Sequence, residues 1–544
     1  VTPNLEKGKR LALGIGPEAL TAVLAIVAST AIAGDAFGKG FPLDDAWIHM
    51  VYGSALLHTG ALQYNDGHAA TGCTSPVWAM VVALAHLIAL AKGPSLRAVA
   101  CVQSFGIAAH AAESVLAARL VRAWTTQPRW APALALGAGA LVSCAPTLAF
   151  ASASGMEVPL AGALLLAAML AVSRGRWTAA GAVAGIAAVT RPEAVLALLA
   201  VALLAVAMEP PRVALRALGA GLVPILARIA RDLIVSGHPL PATFYIKARP
   251  GVQPVGRALS RGFVEVLGGM RPASHVAFWV CVAVALAVGA VAFARRDHGA
   301  PGLRPLRLIG ATAALGLAYS AGISALTPMQ LPHAFYYQRY LAPPLTMMIV
   351  AAFAAVPSLA QFALQGRLRL WLAASCVLAA LAVGDEVSAW RFERHRFADE
   401  VSSINALQVT IGRWVNESLA PGAVVWTVDA GAIRYWGRHP TVDLIRLNTP
   451  ELFVGLKVKK AWWPSAVALI PGLFQLVTPE PLLESALVVD APSDSSQWRD
   501  ASRHEVYRCR PDADHARDNR VVVFFQQDIL LGVGRCVSDR KGTD

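Results

Sequence analysis

Two adjacent carboxylates, Asp44 and Asp45, lead into Ala46-Trp47-Ile48-His49-Met50-Val51-Tyr52, a segment that reads as an amphipathic helix with aromatic anchors at a membrane surface. A carboxylate held there can act as a general base, taking the proton from an acceptor hydroxyl as it attacks an activated carbon. The same pair could instead cap the start of that helix by accepting backbone N–H bonds. Arg191-Pro192-Glu193 interrupts an apolar region, and Glu157 follows Gly155-Met156 in a similar setting. Charges among apolar residues are costly unless they face a cavity or each other, so these groups mark either a site or a structural ion pair. Lys247 ends the segment Pro241-Ala242-Thr243-Phe244-Tyr245-Ile246-Lys247, Arg339 follows Phe335-Tyr336-Tyr337-Gln338 at the mouth of another span, and Arg231 lies near the outer end of its helix. Fixed cations of this kind suit a phosphate, Arg through paired hydrogen bonds and Lys as a point charge; ordinary lipid headgroups are the other reading. His110 and Glu113, at i and i+3 inside an apolar block, read as a proton-relay pair or as a buried contact between helices.

The elements that must position these residues follow from composition. Of 544 residues, 56% are hydrophobic and 15% charged, against about a quarter charged in soluble domains. That excludes a water-soluble enzyme. The surplus Ala, Leu and Val form apolar blocks broken by Arg, Pro and Gly, as repeated crossings of a bilayer require. The net charge of +13 belongs to cytoplasmic loops rather than to nucleic acid binding. Lys7, Lys9 and Arg10 precede a first apolar stretch, 11-33, read as an uncleaved anchor with its basic flank in the cytoplasm. Further blocks lie near 75-92, 97-119, 131-151, 157-173, 176-190, 194-208, 212-235, 275-294, 306-327, 340-358 and 370-386. The basic clusters fall on one side if 75-92, after Thr74-Ser75-Pro76, lies along the outer face without crossing. About eleven transmembrane helices then remain, with a long first extracytoplasmic loop (about 34-96) and the odd polar motifs gathered on the outer side. Lys247, Arg249, Arg257, Arg261 and Arg271 share one outer loop with Glu265 and break the sidedness rule, which calls for an anionic partner.

From about 387 the character changes. Charge density rises, and the runs 423–426, 486–489 and 521–525 read as buried strands alternating with helix-like stretches such as 399-419. The expected organisation is a transmembrane part, 1-386, and an extracytoplasmic soluble α/β domain, 387-544. The seven cysteines form neither a CxxC motif nor a Cys/His cluster, so no metal site is indicated.

Asp44-Asp45-Ala46-Trp47-Ile48, Asn65-Asp66-Gly67, Thr74-Ser75-Pro76-Val77-Trp78, Ser154-Gly155-Met156-Glu157, Thr190-Arg191-Pro192-Glu193, the 241–247 segment and Arg339-Tyr340-Leu341 together resemble the GT-C superfamily of integral membrane glycosyltransferases. The order of motifs is most similar to bacterial relatives of the mycobacterial terminal arabinofuranosyltransferase. The resemblance implies a polyprenyl-phosphate-linked sugar as donor, no separate cofactor, and a glycan, lipid or protein acceptor at the outer face of a bacterial plasma membrane. It implies that Asp44 or Asp45 is the catalytic base, and that His49, Glu157, Arg191, Glu193, Arg231, Tyr245, Lys247, Tyr337 and Arg339 bind substrate. Met156 and Ala242 depart from the family pattern beside the presumed donor pocket, which leaves the sugar open. A transporter or flippase of lipid-linked sugars is the alternative, although its charges would be expected near the bilayer midplane.

Overall fold

The computed structural model describes residues 16–125, 127–247, 272–295, 302–326, 339–363, 389–419 and 421–450, and beyond these the backbone of seven short strands. The predicted crossing at 370-386, the basic loop from Ala248 to Arg271 and Tyr337 lie outside the described residues, and of Lys247 only the backbone is described.

The chain is mostly helical. Along it come α1 (Pro17–Ala33), α2 (Asp44–Thr59), a small hairpin of β1 (Gln63–Asn65) and β2 (His68–Ala69), α3 (Pro76–Ile88) and α4 (Leu96–Trp124). Then follow α5 (Ala131–Cys144), α6 (Pro146–Ala153), α7 (Val158–Ser173), α8 (Trp177–Thr190), α9 (Val195–Met208), α10 (Pro211–Ser236) and the short α11 (Ala242–Lys247). The last of this set are α12 (Pro272–Ala294), α13 (Leu303–Leu326) and α14 (Ala342–Ala363). Among the described residues four, α1, α4, α10 and α13, are long and apolar enough to cross a bilayer, or five if α5 and α6, bent by 56° at their break, are counted together as one span. The bend falls at Ala145-Pro146, where Pro146 lacks an N–H and pushes the residue before it out of the helical region. Six shorter apolar helices accompany them, namely α3, α7, α8, α9 and the described parts of α12 and α14. This is the build of a multi-pass membrane protein.

Close packing needs small residues where helices cross in lipid. Gly181 and Gly185 of α8 lie directly on the backbone carbonyls of Ala217 and Gly221 of α10, so that a Cβ at either glycine would overlap the neighbouring helix.

After this bundle, α15 (389–404) runs on through a π-helical turn, Asn405–Val409, into α16 (Thr410–Ser418). Next come β3 (Val425–Thr427), α17 (Ala432–Gly437), β4 (Thr441–Asp443), the hairpin β5 (Phe453–Val454) and β6 (Lys457–Val458), β7 (Ala466–Leu469), β8 (Leu483–Asp490) and β9 (Arg503–Cys509). Five of these strands form one mixed sheet in the order β4-β3-β7-β9-β8, in which β3 runs parallel to β4 and β7 while β9 is antiparallel to β7 and β8. The helix α17 is the crossover between the parallel strands β3 and β4.

The loop after α1 grips this sheet. Asn65 mimics a strand neighbour of Thr441, donating from Nδ2 to its carbonyl at 2.8 Å and accepting its N–H at 2.8 Å. Tyr64 donates its hydroxyl to the Ala430 carbonyl at 2.6 Å, and Arg434 donates to the Tyr64 carbonyl at 3.1 Å. His86 of α3 bonds the Val82 carbonyl through Nδ1 at 2.9 Å, so that nitrogen carries the proton and Nε2 accepts from the Tyr435 hydroxyl at 3.0 Å. Trp47 packs its ring 5.5 Å from that of Tyr435 and 6.0 Å from that of Trp436. The joint is therefore buried, aromatic and hydrogen-bonded.

Candidate active site

Asp45 lies in the first turn of α2, with Ile48 and His49 at the i+3 and i+4 positions of the same face. All three line a cavity of about 440 Å³ at the junction of the helical bundle, the α2 loop and the sheet domain. Glu157 and Met156 reach it from the start of α7, Arg191 and Glu193 from the turn between α8 and α9, Thr243 and Phe244 from α11, and Arg339 with Tyr340 from the start of α14. The α7 wall is set by Trp78, whose indole donates to the Gly155 carbonyl at 2.8 Å, and by Gln103, which donates to the carbonyls of Gly40 and Ala153. Gly155 has φ +78° and rests directly on the Phe41 ring, so a side chain there would be strained and would collide.

The charges in the cavity wall are paired. Glu157 is held by Arg191 at 2.8 Å and by His49 at 3.2 Å, and Arg191 also reaches Glu193 at 3.5 Å. Arg339 pairs with Asp45 at 3.1 Å. Both guanidiniums lie on Tyr340, Arg191 at 4.9 Å and Arg339 at 5.2 Å from the ring centroid, and both arginines are almost wholly buried. Burial alone would push the His49 imidazole down, but hydrogen bonding to Cys73 and the Glu157 carboxylate outweigh it and raise its pKa from 6.5 to about 9. His49 is thus a cation at neutral pH. Among the described residues no group of three or more His, Cys, Asp or Glu could hold a metal ion.

Six of the sequence-derived candidates therefore share one cavity: Asp45, His49, Glu157, Arg191, Glu193 and Arg339. Others are placed elsewhere. Asp44, turned about 100° around the helix from Asp45, accepts the backbone N–H of Gly431 at 2.7 Å and of Ala432 at 2.8 Å. It caps a helix, α17, but one in the other domain. Its pKa is raised well above the carboxylate range by burial first and then by Asp429 and Asp45, against the lowering effect of the two N–H bonds. Arg231 donates to Asp232 at 2.8 Å and to the carbonyls of Leu62 and Ala70, while Arg228 bonds Asp232 at 2.5 Å and the Cys73 carbonyl at 2.8 Å. These two arginines clasp the β1–β2 hairpin and the irregular segment after it. Tyr245 is half-exposed beside His238 and Phe244 and lies outside the cavity lining. His110 bonds Glu113 at 3.2 Å, and Glu113 also accepts from Thr346 at 2.8 Å, which makes this pair a buried contact between helices. Thr190, which opens the motif Thr190-Arg191-Pro192-Glu193, lines the cavity too, and sequence reading did not single out Tyr319, Leu447 or Asn448, which also line it.

A second, apolar cavity of about 380 Å³ runs down the bundle, lined by Leu196, Leu199, Leu203 and Ala207 of α9 together with Phe293 and Leu315. Leu196 belongs to both linings. The α9 residues recur every three or four positions and so form one stripe, about 16 Å long at ~1.5 Å rise per residue.

Residues 399–521 match a family model described as a domain of unknown function, DUF8728. No curated protein matches the sequence. Among solved structures, ArnT from Cupriavidus metallidurans in the apo state is similar at a TM-score of 0.56 and 14% identity, over 90% of this chain and 97% of that one. An oligosaccharyltransferase from Archaeoglobus fulgidus tethered to an acceptor peptide is similar at a TM-score of 0.51 and 10% identity, over 83% of this chain and 69% of that one. The fold of this chain is thus similar to that of ArnT and of the archaeal oligosaccharyltransferase.

Proposed function

We propose that the protein is an inverting membrane glycosyltransferase that moves a sugar, arabinofuranose first among the candidates, from a polyprenyl-phosphate donor to a glycan, lipid or protein acceptor. The reaction takes place at the outer face of a bacterial plasma membrane, with about eleven crossings, the N-terminus in the cytoplasm and the sheet domain outside. One observation carries this reading: a charged cavity and an apolar groove share Leu196, which is the shape of a ligand with a polar head and a long apolar tail.

In this mechanism the acceptor hydroxyl attacks the anomeric carbon, Asp45 takes its proton, and the bond from that carbon to the phosphate oxygen breaks. The electron pair leaves with the phosphate, as a polyprenyl phosphate. Arg339 and Arg191 stabilise the charge that develops there, with Lys247, four residues beyond the lining Thr243, as a further cation. Arg339 is bound to Asp45, so an incoming donor phosphate competes for that guanidinium and frees the carboxylate to act as base. Glu157 and Glu193 fix Arg191 in place. A single in-line displacement at the anomeric carbon inverts its configuration.

The test is a purified protein in proteoliposomes given polyprenyl phosphates carrying radiolabelled arabinofuranose, mannose or glucose, together with a soluble glycan acceptor. The expected result is label on the acceptor and free polyprenyl phosphate in equal amount. Label that crosses the membrane still attached to lipid would instead establish a flippase.

A further inference from the structure

The sheet domain supplies one residue to the cavity whose hydrogen bonding is incomplete. Asn448 lines the cavity, is 1% exposed, and its Oδ1 has no hydrogen-bond partner. An unmade bond on a buried amide oxygen costs roughly 1–3 kcal/mol, so such an atom in a cavity wall points to a ligand. The amide is not free to turn. Its Nδ2 donates to Asp443 Oδ2 at 2.8 Å, and its backbone N–H donates to the same oxygen at 2.9 Å. A carboxylate only accepts, so the nitrogen must face Asp443 and the oxygen must face away from it. Asp443 is itself fixed by the N–H of Ile445 at 2.9 Å, while its own N–H bonds the Thr449 hydroxyl at 3.0 Å. On the cavity side stands Gly72, where a Cβ would come within 2.7 Å of Asn448 Oδ1 and would overlap the Leu447 carbonyl. Only a glycine lets the two walls meet this closely.

We propose that Asn448 is a specificity-determining residue which accepts a hydrogen bond from a sugar hydroxyl, and that through it the domain of unknown function reads the carbohydrate in the cavity. The inference rests on the transferase reading above and adds to it the group recognised. A neutral acceptor needs an O–H or N–H donor. A phosphodiester at neutral pH has none and a polyprenyl chain has none, so of the groups that would enter this cavity only the sugar, on donor or acceptor, can satisfy Oδ1. The cations and carboxylates of the cavity wall are already paired with one another, and the Asn448 amide stands among its neutral polar groups with an acceptor held in a fixed orientation.

The test pairs substrate and protein changes. Wild type and Asn448→Ala are compared on the donor that the wild type transfers among arabinofuranosyl-, mannosyl- and glucosyl-phosphopolyprenol. Each sugar hydroxyl is replaced by hydrogen in turn, first on the donor and then on the acceptor. The expected result is one position whose removal lowers kcat/KM about 10–100-fold in the wild type and about twofold or less in Asn448→Ala. A hit in the donor series assigns the contact to the transferred sugar, and a hit in the acceptor series assigns it to the acceptor. If Asn448 only braced the 443–449 turn, Asn448→Ala would lower activity on every substrate alike and keep every deoxy penalty, which overturns the proposal. Asn448→Ser, which keeps a short polar group towards Asp443 while withdrawing Oδ1, gives the same comparison should the alanine variant not fold. Absence of transfer by the wild type from all three donors would remove the transferase reading itself, and this inference with it.

Discussion

Asp44 and Asp45 are neighbours in sequence, yet they belong to regions built on different principles. Asp45 faces a wall where charges meet charges: Arg339, Arg191, Glu157, Glu193 and His49 are tied into pairs that an incoming anion or hydroxyl can enter and rearrange. Asp44 faces a joint where side chains meet backbone, its two oxygens bound to the N–H groups of Gly431 and Ala432, with Trp47 one turn on against Tyr435 and Trp436. Groups bound to backbone have no partner that a substrate could replace. The lesson is that exchangeable partners, more than charge itself, distinguish a site from a strut. The largest effect expected from this contrast is on transfer. Asp45→Asn should lower kcat by about 10²–10⁴-fold, the usual contribution of a general base, with donor affinity retained. Asp44→Asn should leave the chemistry within a few-fold while loosening the sheet domain. Equal losses of kcat in the two variants would erase the distinction.

The next effect concerns the buried pairs. Arg191→Met leaves Glu157 with His49 as its remaining cation in a nearly dry setting, and removing one partner of such a pair costs about 3–5 kcal/mol. Thermal unfolding in detergent should register that loss, and the Arg191→Met, Glu157→Gln double variant should recover part of it. At the joint, Asn65→Ala orphans one buried N–H and one buried carbonyl of Thr441, a cost of roughly 2–3 kcal/mol. Hydrogen exchange at Thr441 should accelerate while transfer per folded molecule stays near wild type. Loss of activity without faster exchange would move Asn65 from the joint to the site.

How far these two regions could be read in advance differs for physical reasons. Helices in lipid announce themselves by composition, and the blocks at 97-119 and 212-235 fall within α4 and α10 to within a few residues. The block at 131-151 hid a break that Pro146 already signalled. The motifs Met156-Glu157, Arg191-Pro192-Glu193 and Arg339 stood out because charge among apolar residues is rare, and they meet in one cavity. The sequence left the choice between Asp44 and Asp45 open, because Ile48 lies three residues from Asp45 and four from Asp44, and only the cavity lining and the contacts of Asp44 with Gly431 and Ala432 distinguish the two. Arg231 was harder to judge, but Asp232 beside it and Arg228 one turn before it form a local cluster that a carboxylate can close. Nothing in the sequence marks Asn448, because its place depends on a turn fixed by Asp443 and on the close approach of Gly72, some 370 residues away in the chain.

A pH titration sharpens the cavity side of the contrast. The pKa of His49 is raised from 6.5 to about 9 in the folded protein, so the folded state binds its proton more tightly than the unfolded state does. The stability that this gives is complete below about pH 6.5 and is lost as pH rises towards 9, with a slope of at most ~1.4 kcal/mol per pH unit. Unfolding midpoints of wild type should therefore fall across that window more steeply than those of His49→Gln. Parallel curves would mean that the Glu157 pair does not hold the proton.

The smallest effect tests the boundary of the site. Tyr245 is 48% exposed and leans on His238 and Phe244, with ring centroids 5.3 and 5.7 Å away, outside the cavity lining. Its neighbours Thr243 and Phe244 do line the cavity, so motif membership and position disagree here. Tyr245→Phe keeps the ring contacts and removes only a hydroxyl at the surface, where substitutions stay within about 0.5 kcal/mol. Stability and kcat/KM should both remain within about twofold of wild type. A selective rise in KM for the donor, with kcat and stability unchanged, would show that α11 swings its outer face onto the lipid-linked substrate, and the wall of the cavity would then have to be extended by one turn.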